Sequence, residues 1–389
     1  MLGADITGLG TVRALARQGI DVTSVMNPRG RPSEYTRYAR KVADGGSEGE
    51  EYVQLLEELA DQFSEPAFLI ASADHHVIFM SQYRDILQKR YRYVLPDNAV
   101  VDTLMDKAAF ARWADQHGLR APATMVIEDM DAAHQAAEAL RFPCILKPTV
   151  KLRKWFRTSL HEFGKVVPVA SSEELIRIYD QVSSDAPGMV LQESIPGDDE
   201  SLVFCFVYID KEGTVRATYE GRKIRQWPPL YGTGSLLVGA PEPEVRQATV
   251  DLLQCAGYVG IGSAEFKRDP RDNQLYVIEC TVGRPDKNSG LATDAGLNIP
   301  YLAYCDAVGL PLPEMHIKRP GLKWLDERAD VAATRVYRRD LGLSLRQWLN
   351  SLRGPRTYAL ASWDDPLPAA YLAMGFLARS VGLRNKWWR

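Results

Sequence analysis

The stretch Gly260–Asn288, GIGSAEFKRDPRDNQLYVIECTVGRPDKN, is the most informative part of this 389-residue sequence. Two strand patterns, Ser263–Lys267 and Leu275–Thr281, flank a turn rich in Asp, Pro, Arg and Asn, which predicts an antiparallel hairpin. Each strand carries one carboxylate among apolar neighbours, Glu265 and Glu279. In a paired hairpin the two carboxylates would converge on one face, where they could share Mg²⁺, a cation that prefers oxygen ligands. The alternative is an edge hairpin whose acids are simply solvated.

The composition is that of an ordinary globular protein, with 46% apolar and 25% charged residues. The length predicts two or three domains. A formal net charge of -3 gives no reason to expect nucleic-acid binding. The five cysteines are scattered without a CxxC pair, so no zinc site or disulfide framework is predicted and a reducing cytoplasm fits. No apolar run is long enough to span a membrane, and no secretory leader is visible.

Residues 1–101 alternate helix patterns with short apolar strands, which predicts an open parallel sheet. Met1 stands near the end of the first strand, so either that strand is very short or the start has been placed late. Gly3, Gly8 and Gly10 resemble a dinucleotide-binding turn without matching it, and tight packing of strand against helix is the simpler explanation. Ligands bind at the carboxyl ends of strands in such sheets. The candidate ligand-facing residues are therefore Asp5, Ser72, Asp74 and His75.

A second unit begins near Asp102 with a helix pattern that contains Lys107. Further on, Lys147 ends the apolar strand pattern FPCILKP. An ammonium inside such a strand is costly unless it meets an anion, which favours a phosphate partner; the alternative is a side chain that reaches solvent. The basic and aromatic residues 150–166 are predicted to form a mobile lid, although a merely solvated loop fits the same composition.

The last part of the chain combines three patterns. Residues 329–340, ADVAATRVYRRD, are interpreted as a strand, and Ser344–Leu352 as a helix. The closing segment 370–389, AYLAMGFLARSVGLRNKWWR, mixes an apolar face with basic residues and Trp. Such a tail could lie on an anionic membrane surface, or it could be a terminal helix that docks on its own domain.

In this order the motifs resemble the ATP-grasp superfamily, and within it the carboxylate–amine ligases. The resemblance covers nearly the whole chain and rests on LGADITGLGTVRALARQGI, PDNAVVDTLMDKAAFARWADQHGLRAP, FPCILKP, VLQESIPGDD, GRKIRQWPP and AEFKRDPRDNQLYVIE. It implies an α/β protein, α+β in its ATP-binding part, in which an N-terminal Rossmann-like domain precedes the ATP-grasp fold. The implied units are residues 1–101, 102–188 with the lid 150–166, 189–322 with the metal hairpin, and a C-terminal extension, 323–389.

The resemblance also implies which residues bind ATP. Two lysines would hold its phosphates, a hinge between two lobes would read adenine through main-chain groups, and one acid would take the ribose hydroxyls. In that order these residues are Lys107 and Lys147, then Gln192, Glu193 and Ile195, then Asp199.

The implied Mg²⁺ ligands are Glu265, Glu279 and Thr281, and the implied clamps on the transferred phosphate or the acyl-phosphate are Arg225 and Arg284. The sequence departs from the family here. Thr281 stands where Asn is usual, which puts the second metal contact in doubt, and the arginine that follows is displaced relative to the usual pattern. The lid is basic and aromatic instead of glycine-rich. These departures mark either an unusual substrate or weakened chemistry.

The reaction implied by the resemblance uses ATP and Mg²⁺ to activate a carboxylate as an acyl-phosphate, which an amine then attacks, with release of ADP and phosphate. One alternative is a nucleotide-binding module with little or no turnover; another is a ligase of a different branch, such as an acid–thiol ligase. The expected partners are a small carboxylate and a small amine, without nucleic acid. The expected location is the cytoplasm, with or without contact to the inner face of the membrane. The acid, the amine and the oligomeric state are left open.

Overall fold

The computed structural model describes residues 1–148, 166–183 and 188–380. The predicted lid therefore lies almost wholly outside the described residues, as do residues 381–389 of the tail. Within the described ranges the chain combines helices with parallel and antiparallel strands, as expected of the predicted α/β fold.

The N-terminal part is built on parallel pairing. Its strands are β1 (Val22–Met26), β2 (Ala39–Ala43), β3 (Ala67–Phe68) and β4 (Tyr91–Arg92). β1 pairs with β2 and β3 with β4, and Leu2 joins the two pairs through parallel bridges to Val25 and Ala71. The helices around them are α1 (Ile6–Ala16), α2 (Gly49–Ala60), α3 (Asp74–Gln82) and α4 (Arg84–Arg90), with a short 3-10 helix at Pro32–Tyr35.

The next part is a small antiparallel sheet covered by two helices. In the order β5-β8-β6-β7, its strands are β5 (Thr124–Ile127), β8 (Met189–Glu193), β6 (Cys144–Pro148) and β7 (Val167–Val169). Apolar residues of α7 (Met130–Ala139) and α8 (Ser172–Val182) pack with these strands into one core. The helices α5 (Asn98–Met105) and α6 (Lys107–Gln116) lead into it.

A larger sheet follows, with the strand order β13-β12-β9-β10-β11-β14-β15 among the described residues. Its strands are β9 (Leu202–Ile209), β10 (Val215–Trp227), β11 (Thr233–Gly239), β12 (Gly260–Arg268), β13 (Leu275–Val282), β14 (Lys323–Leu325) and β15 (Arg356–Tyr358). All pairs are antiparallel except β14 with β15. The remaining helices are α9 (Pro243–Cys255), α10 (Gly290–Ala295), α11 (Ile299–Val308), α12 (Glu327–Asp340), α13 (Leu345–Ser351) and α14 (Leu367–Ser380).

The central strand β9 is buried on both faces, since every residue of LVFCFVYI is inaccessible. Alternate side chains of a strand point to opposite faces. Val203, Cys205 and Val207 pack with α9 and the N-terminal helices, whereas Phe204 and Phe206 pack with α10 and α11. The large sheet is thus fixed from both sides against the N-terminal part of the chain.

The strand predicted for residues 329–340 is wrong, because these residues belong to α12. The Asp326 carboxylate accepts a hydrogen bond from the Ala329 N–H at 2.9 Å, which caps the helix. The buried residues recur at the 3.6-residue period of a helix and not at the two-residue period of a strand. They are Asp330, Ala333, Thr334 and Tyr337.

An inaccessible ion pair joins the end of the described chain to its beginning. Nε of Arg13 on α1 lies 2.9 Å from Oδ2 of Asp365, and the Thr36 hydroxyl donates to the same oxygen at 2.8 Å. The Asp365 side chain has no exposed surface. This ion pair therefore holds the segment before α14 against α1. Breaking it would leave an unpaired charge in the protein interior, which is costly.

We expect Asp365→Asn to lower the free energy of unfolding by about 3–5 kcal/mol, because it leaves the Arg13 guanidinium buried and unpaired. Urea unfolding followed by circular dichroism measures this change. The matched control is Asp61→Asn, whose partner Arg90 is exposed, with an expected loss below about 1 kcal/mol. Equal losses in the two variants would contradict the assignment.

Candidate active site

The hairpin of β12 and β13 brings the two predicted metal ligands together. Glu265 is the direct cross-strand partner of Glu279, and Ser263 is the partner of Thr281. Directly opposed residues of an antiparallel pair project to the same side of the sheet. The two carboxylates and the two hydroxyls therefore share one face, as the sequence predicted for the carboxylates.

The two predicted phosphate-binding lysines lie across from that face. The charge of Lys147 on β6 is stabilised by Glu279 and Glu265 and opposed by Lys107, which begins α6. Burial lowers the pKa of Lys147 to about 8, and the two carboxylates offset part of this shift. Its Nζ donates to Oε1 of Gln192 at 3.0 Å. The structure thus gathers two ammonium groups and two carboxylates that are far apart in the sequence.

Lys223 on β10 belongs to this group, although within the basic cluster Arg222–Arg225 the sequence predicted a role only for Arg225. Its Nζ lies 2.6 Å from Oε2 of Glu265 and donates to Oε1 of Gln226 at 3.1 Å. Nε2 of Gln226 donates in turn to Oδ1 of Asp199 at 2.7 Å. A continuous polar chain therefore connects the predicted metal ligand Glu265 to the predicted ribose ligand Asp199.

Burial raises the pKa of both acids at the ends of this chain. For Glu265, burial comes first; the nearby Lys223 lowers the pKa, and Glu279 raises it. For Asp199, burial is again the first cause, and hydrogen bonds from Gln226 oppose it. A further cation close to either carboxylate would therefore stabilise its ionised form.

Arg225, predicted as a catalytic clamp, is directed elsewhere. Its guanidinium donates to both carboxylate oxygens of Asp330 on α12, at 2.8 and 3.1 Å, and to the Ser351 hydroxyl at 2.6 Å. A β-bulge between Lys223 and Arg225 shifts the register of β10 against β11. In a regular strand the two side chains would share a face, so the bulge is what separates Lys223 from Arg225.

Lys267 is a further cation near Glu265. It lies on the same face of β12, two residues further along. It is buried, and within the described ranges no hydrogen bond or ion pair reaches its ammonium. Burial lowers its pKa, while the charge of Asp199 nearby raises it. Lys267 is the cross-strand partner of Leu202 on β9, and on the other side of β9 Lys223 follows the pair of Arg222 with Val203. An unpaired ammonium in such a place favours an anionic ligand.

The hinge residues predicted to read adenine lie at the end of β8. Oε1 of Glu193 accepts a hydrogen bond from the Arg141 N–H at 3.0 Å, so that side chain faces the turn before β6. The Glu193 N–H pairs with the Ala123 carbonyl, and Ile195 is buried. The adenine-binding role of this hinge stays a prediction.

A third carboxylate, that of Asp286, lies next to Thr281. The hydroxyls of Ser263 and Thr281 donate to Oδ2 of Asp286 at 3.2 and 3.5 Å. The sequence patterns assign no role to Asp286, although it lies in the GRPDKN turn that contains the displaced arginine.

Arg284 connects the hairpin to the N-terminal part of the chain. Gly283 has a φ of +66°, and a side chain there would collide with Leu95, so the turn depends on glycine. Beyond it, Nε of Arg284 donates to Oδ1 of Asp74 at 2.7 Å. The charges of Glu279 and Asp286 also stabilise this guanidinium. Arg284 therefore stands between the metal-ligand candidates and α3.

Two of the N-terminal ligand-facing candidates meet at this arginine. Burial raises the pKa of Asp5, the N-cap of α1, whereas the Gly8 N–H and the charge of Arg284 lower it. Ser72 is buried and His75 is exposed beside Asp74. The carboxyl ends of the N-terminal strands thus open toward Arg284, as expected for a parallel sheet.

Glu265 and Glu279 suit Mg²⁺ that is shared with substrate phosphates. In the described part of the chain no group of three or more His, Cys, Asp or Glu side chains is arranged to hold a metal ion by itself. Mg²⁺ is usually held by one or two carboxylates together with waters and substrate phosphates. Glu265 and Glu279 fit that role, because their shared face lies opposite Lys107 and Lys147.

No family model matches the chain. Among curated proteins it is 24% identical over 314 residues to D-aspartate ligase of Enterococcus faecium, covering 77% of this chain and 74% of that protein. It is also 24% identical over 303 residues to the C-terminal section of the carbamoyl phosphate synthase large chain of Methanopyrus kandleri, covering 71% of this chain and 52% of that protein.

Solved structures with the same fold include the biotin carboxylase domain of 2-oxoglutarate carboxylase from Hydrogenobacter thermophilus, in complex with MgADP and bicarbonate. Its TM-score is 0.61 at 17% identity, covering 82% of this chain and 72% of that chain. The L-amino acid ligase of Bacillus licheniformis has a TM-score of 0.58 at 16% identity, covering 79% and 73%. Together with the strand order, these similarities show that the chain has the ATP-grasp fold, and the proteins it is similar to include carboxylate–amine ligases.

Proposed function

We propose that this protein is an ATP- and Mg²⁺-dependent ligase that activates a carboxylate as an acyl-phosphate and joins it to an amine, releasing ADP and phosphate. The observation that carries this proposal is the gathering of Lys107 and Lys147 opposite Glu265 and Glu279. Relatives named as a D-aspartate ligase and an L-amino acid ligase support an acid and an amine as the substrate classes.

In this proposal the protein acts by placing charges instead of forming covalent bonds. Lys107 and Lys147 hold the ATP phosphates, and Asp199 takes the ribose hydroxyls. Glu265 and Glu279 hold Mg²⁺, which neutralises charge on the transferred phosphoryl group when bound. Such a site requires fixed cations around the anionic transition state, and no nucleophile from the chain.

For the acyl-phosphate we assign Lys223 and Arg284 as the cations. Lys223 is the ammonium that touches Glu265, and Arg284 stands between Glu279 and the N-terminal acids Asp5 and Asp74. Arg225 supports the sheet instead, through its bidentate bond to Asp330. The carboxylate and amine substrates then enter from the N-terminal side, next to Arg284.

Thr281 favours one alternative, a nucleotide-binding module without turnover. Its hydroxyl already donates to Asp286, and a threonine oxygen is a weaker Mg²⁺ ligand than the amide oxygen usual there. Tight binding of Mg-ATP without turnover on any acid and amine would support this reading.

We also place the protein in a reducing compartment such as the cytoplasm. All five cysteines are free, which is the usual state of cytosolic proteins. In the described ranges no helix is long and apolar enough to cross a bilayer.

The direct test is an assay of purified protein with Mg-ATP and a panel of acids and amines. We expect release of ADP and phosphate that requires both substrates, with an amide product detected by mass spectrometry. Glu279→Gln should lower kcat on the order of 10² or more, because it weakens the charge stabilisation supplied through the metal. Glu200→Gln, on an exposed carboxylate 4.0 Å from Arg222, is the control. No turnover and no nucleotide binding across a broad panel would sink the proposal.

The pKa of Lys147 predicts a pH dependence of nucleotide binding. Its ammonium is charged below about pH 8 and neutral above it, and only the charged form attracts phosphate. We expect the Kd for ADP, measured by calorimetry, to rise by roughly tenfold per pH unit at most above that pH. In Lys147→Arg the cation stays charged throughout, so its profile should be flat, whatever its absolute affinity. Parallel profiles in the two proteins would contradict the role of Lys147.

The position of Lys267 predicts that its loss weakens the binding of AMP and ADP but not the binding of adenosine. If its ammonium meets the phosphate nearest the ribose, Lys267→Met should weaken AMP and ADP by about tenfold, the value of one charge-assisted hydrogen bond. Adenosine should bind both proteins equally. Lys211→Met, which removes an exposed lysine paired with Asp306, is the control in the same calorimetric series. Equal loss for adenosine and AMP would mean that Lys267 serves the fold and not the phosphate.

A further inference from the structure

Helix α14 is apolar on the face that points away from the protein as well as on the face that packs. From Leu367 to Leu377 its sequence, LPAAYLAMGFL, contains no charged residue. Leu372 is buried, whereas Leu367, Met374 and Leu377 are 53%, 56% and 67% exposed. Their spacing of seven and three residues places these three side chains on one side of the helix. A soluble surface helix would carry polar residues there.

The helix is firmly attached, so its exposed face is not the result of a loose end. The ring of Tyr371 stacks on that of Tyr35 with 3.9 Å between centroids. Leu372 packs with Leu9 and Leu360. The inaccessible pair of Arg13 with Asp365 fixes the chain just before the helix begins.

The exposed apolar area is concentrated at this end of the chain. Of the fourteen large apolar side chains that are exposed among the described residues, four lie in eleven residues of α14. Trp363, four residues before the helix, is 93% exposed. Contiguous apolar surface of this kind marks an interaction site.

A basic segment of the chain packs against α14. Tyr35, the residue on which α14 stacks, belongs to the basic segment 28–41, PRGRPSEYTRYARK. The single acid of that segment, Glu34, is buried and accepts hydrogen bonds from the Arg29 and Gly30 N–H groups. The segment's five basic side chains are exposed; they are Arg29, Arg31, Arg37, Arg40 and Lys41.

The sequence beyond Leu377 has the same character. Residues 378–389, ARSVGLRNKWWR, contain four basic residues, two Trp and no acid. Basic residues with Trp are typical of segments that lie at a membrane surface.

We propose that the outer face of α14 and the basic segment 28–41 form a docking surface for an anionic lipid bilayer. Leu367, Met374 and Leu377 enter the interface between headgroups and acyl chains, and the cations contact lipid phosphates. A second copy of this chain is disfavoured as the partner, because a two-fold interface brings the same cations against each other. The contact is peripheral and independent of the proposed ligase reaction.

The test uses the whole protein and sedimentation with two kinds of vesicle. We expect binding to vesicles that contain phosphatidylglycerol in phosphatidylcholine, little binding to phosphatidylcholine alone, and loss of binding at high salt. The triple variant Leu367→Ser, Met374→Ser, Leu377→Ser should reduce binding by about tenfold or more, since it removes the buried apolar area. Arg40→Glu with Lys41→Glu should reduce it through charge.

The matched control is Leu310→Ser with Ile317→Ser, which removes two comparably exposed apolar side chains from elsewhere on the surface. It should bind vesicles as the unaltered protein does. Thermal unfolding and ADP binding check that every variant is folded. Absence of vesicle binding, equal binding to uncharged vesicles, or equal loss in the control overturns the proposal. So does a concentration-dependent dimer, seen by light scattering, that the triple variant abolishes.

Discussion

The site depends on one constraint, the mutual neutralisation of opposite charges that the small antiparallel sheet and the large sheet bring together. Lys223 lies 2.6 Å from Glu265, and the charges of Glu279 and Glu265 offset part of the cost of burying the Lys147 ammonium. A buried ammonium without such partners would be costly. Because Lys147 belongs to the small antiparallel sheet and Glu265 and Glu279 belong to the large one, their attraction also relates the two sheets.

The same rule governs the C-terminal extension. Asp330 on α12 binds Arg225 of β10 with two hydrogen bonds, and Asp365 binds Arg13 of α1. Asp326 reaches Lys287 in the turn after the hairpin at 2.6 Å. The extension is therefore more than an appendage to the ATP-grasp unit. Its acids bind one basic residue each from α1, β10 and the turn after the hairpin, and the contact with Asp330 directs Arg225 away from Glu265.

The N-terminal part carries two different surfaces. At the strand ends, Asp5 and Asp74 face Arg284. Tyr35 stacks on Tyr371 of α14, and the hydroxyl of Ser33 in the same basic segment donates to the Ala4 carbonyl, next to Asp5, at 2.7 Å. The proposed docking surface and the proposed reaction site therefore adjoin each other, and the buried contacts of α1 connect α14 to the large sheet.

Local patterns in the sequence determined much of this protein. The strand patterns and the turn residues between them predicted the hairpin and the convergence of Glu265 with Glu279. The position of Lys147 at the end of an apolar strand predicted that its ammonium meets an anionic partner. Those signals are local, since side-chain period and turn chemistry act over a few residues. Other features arise only in three dimensions. The bulge that turns Lys223 toward Glu265 and Arg225 away from it, the proximity of Asp286 to Thr281, and the pairing of Arg13 with Asp365 depend on register and on contacts between distant segments, for which a local pattern carries no information.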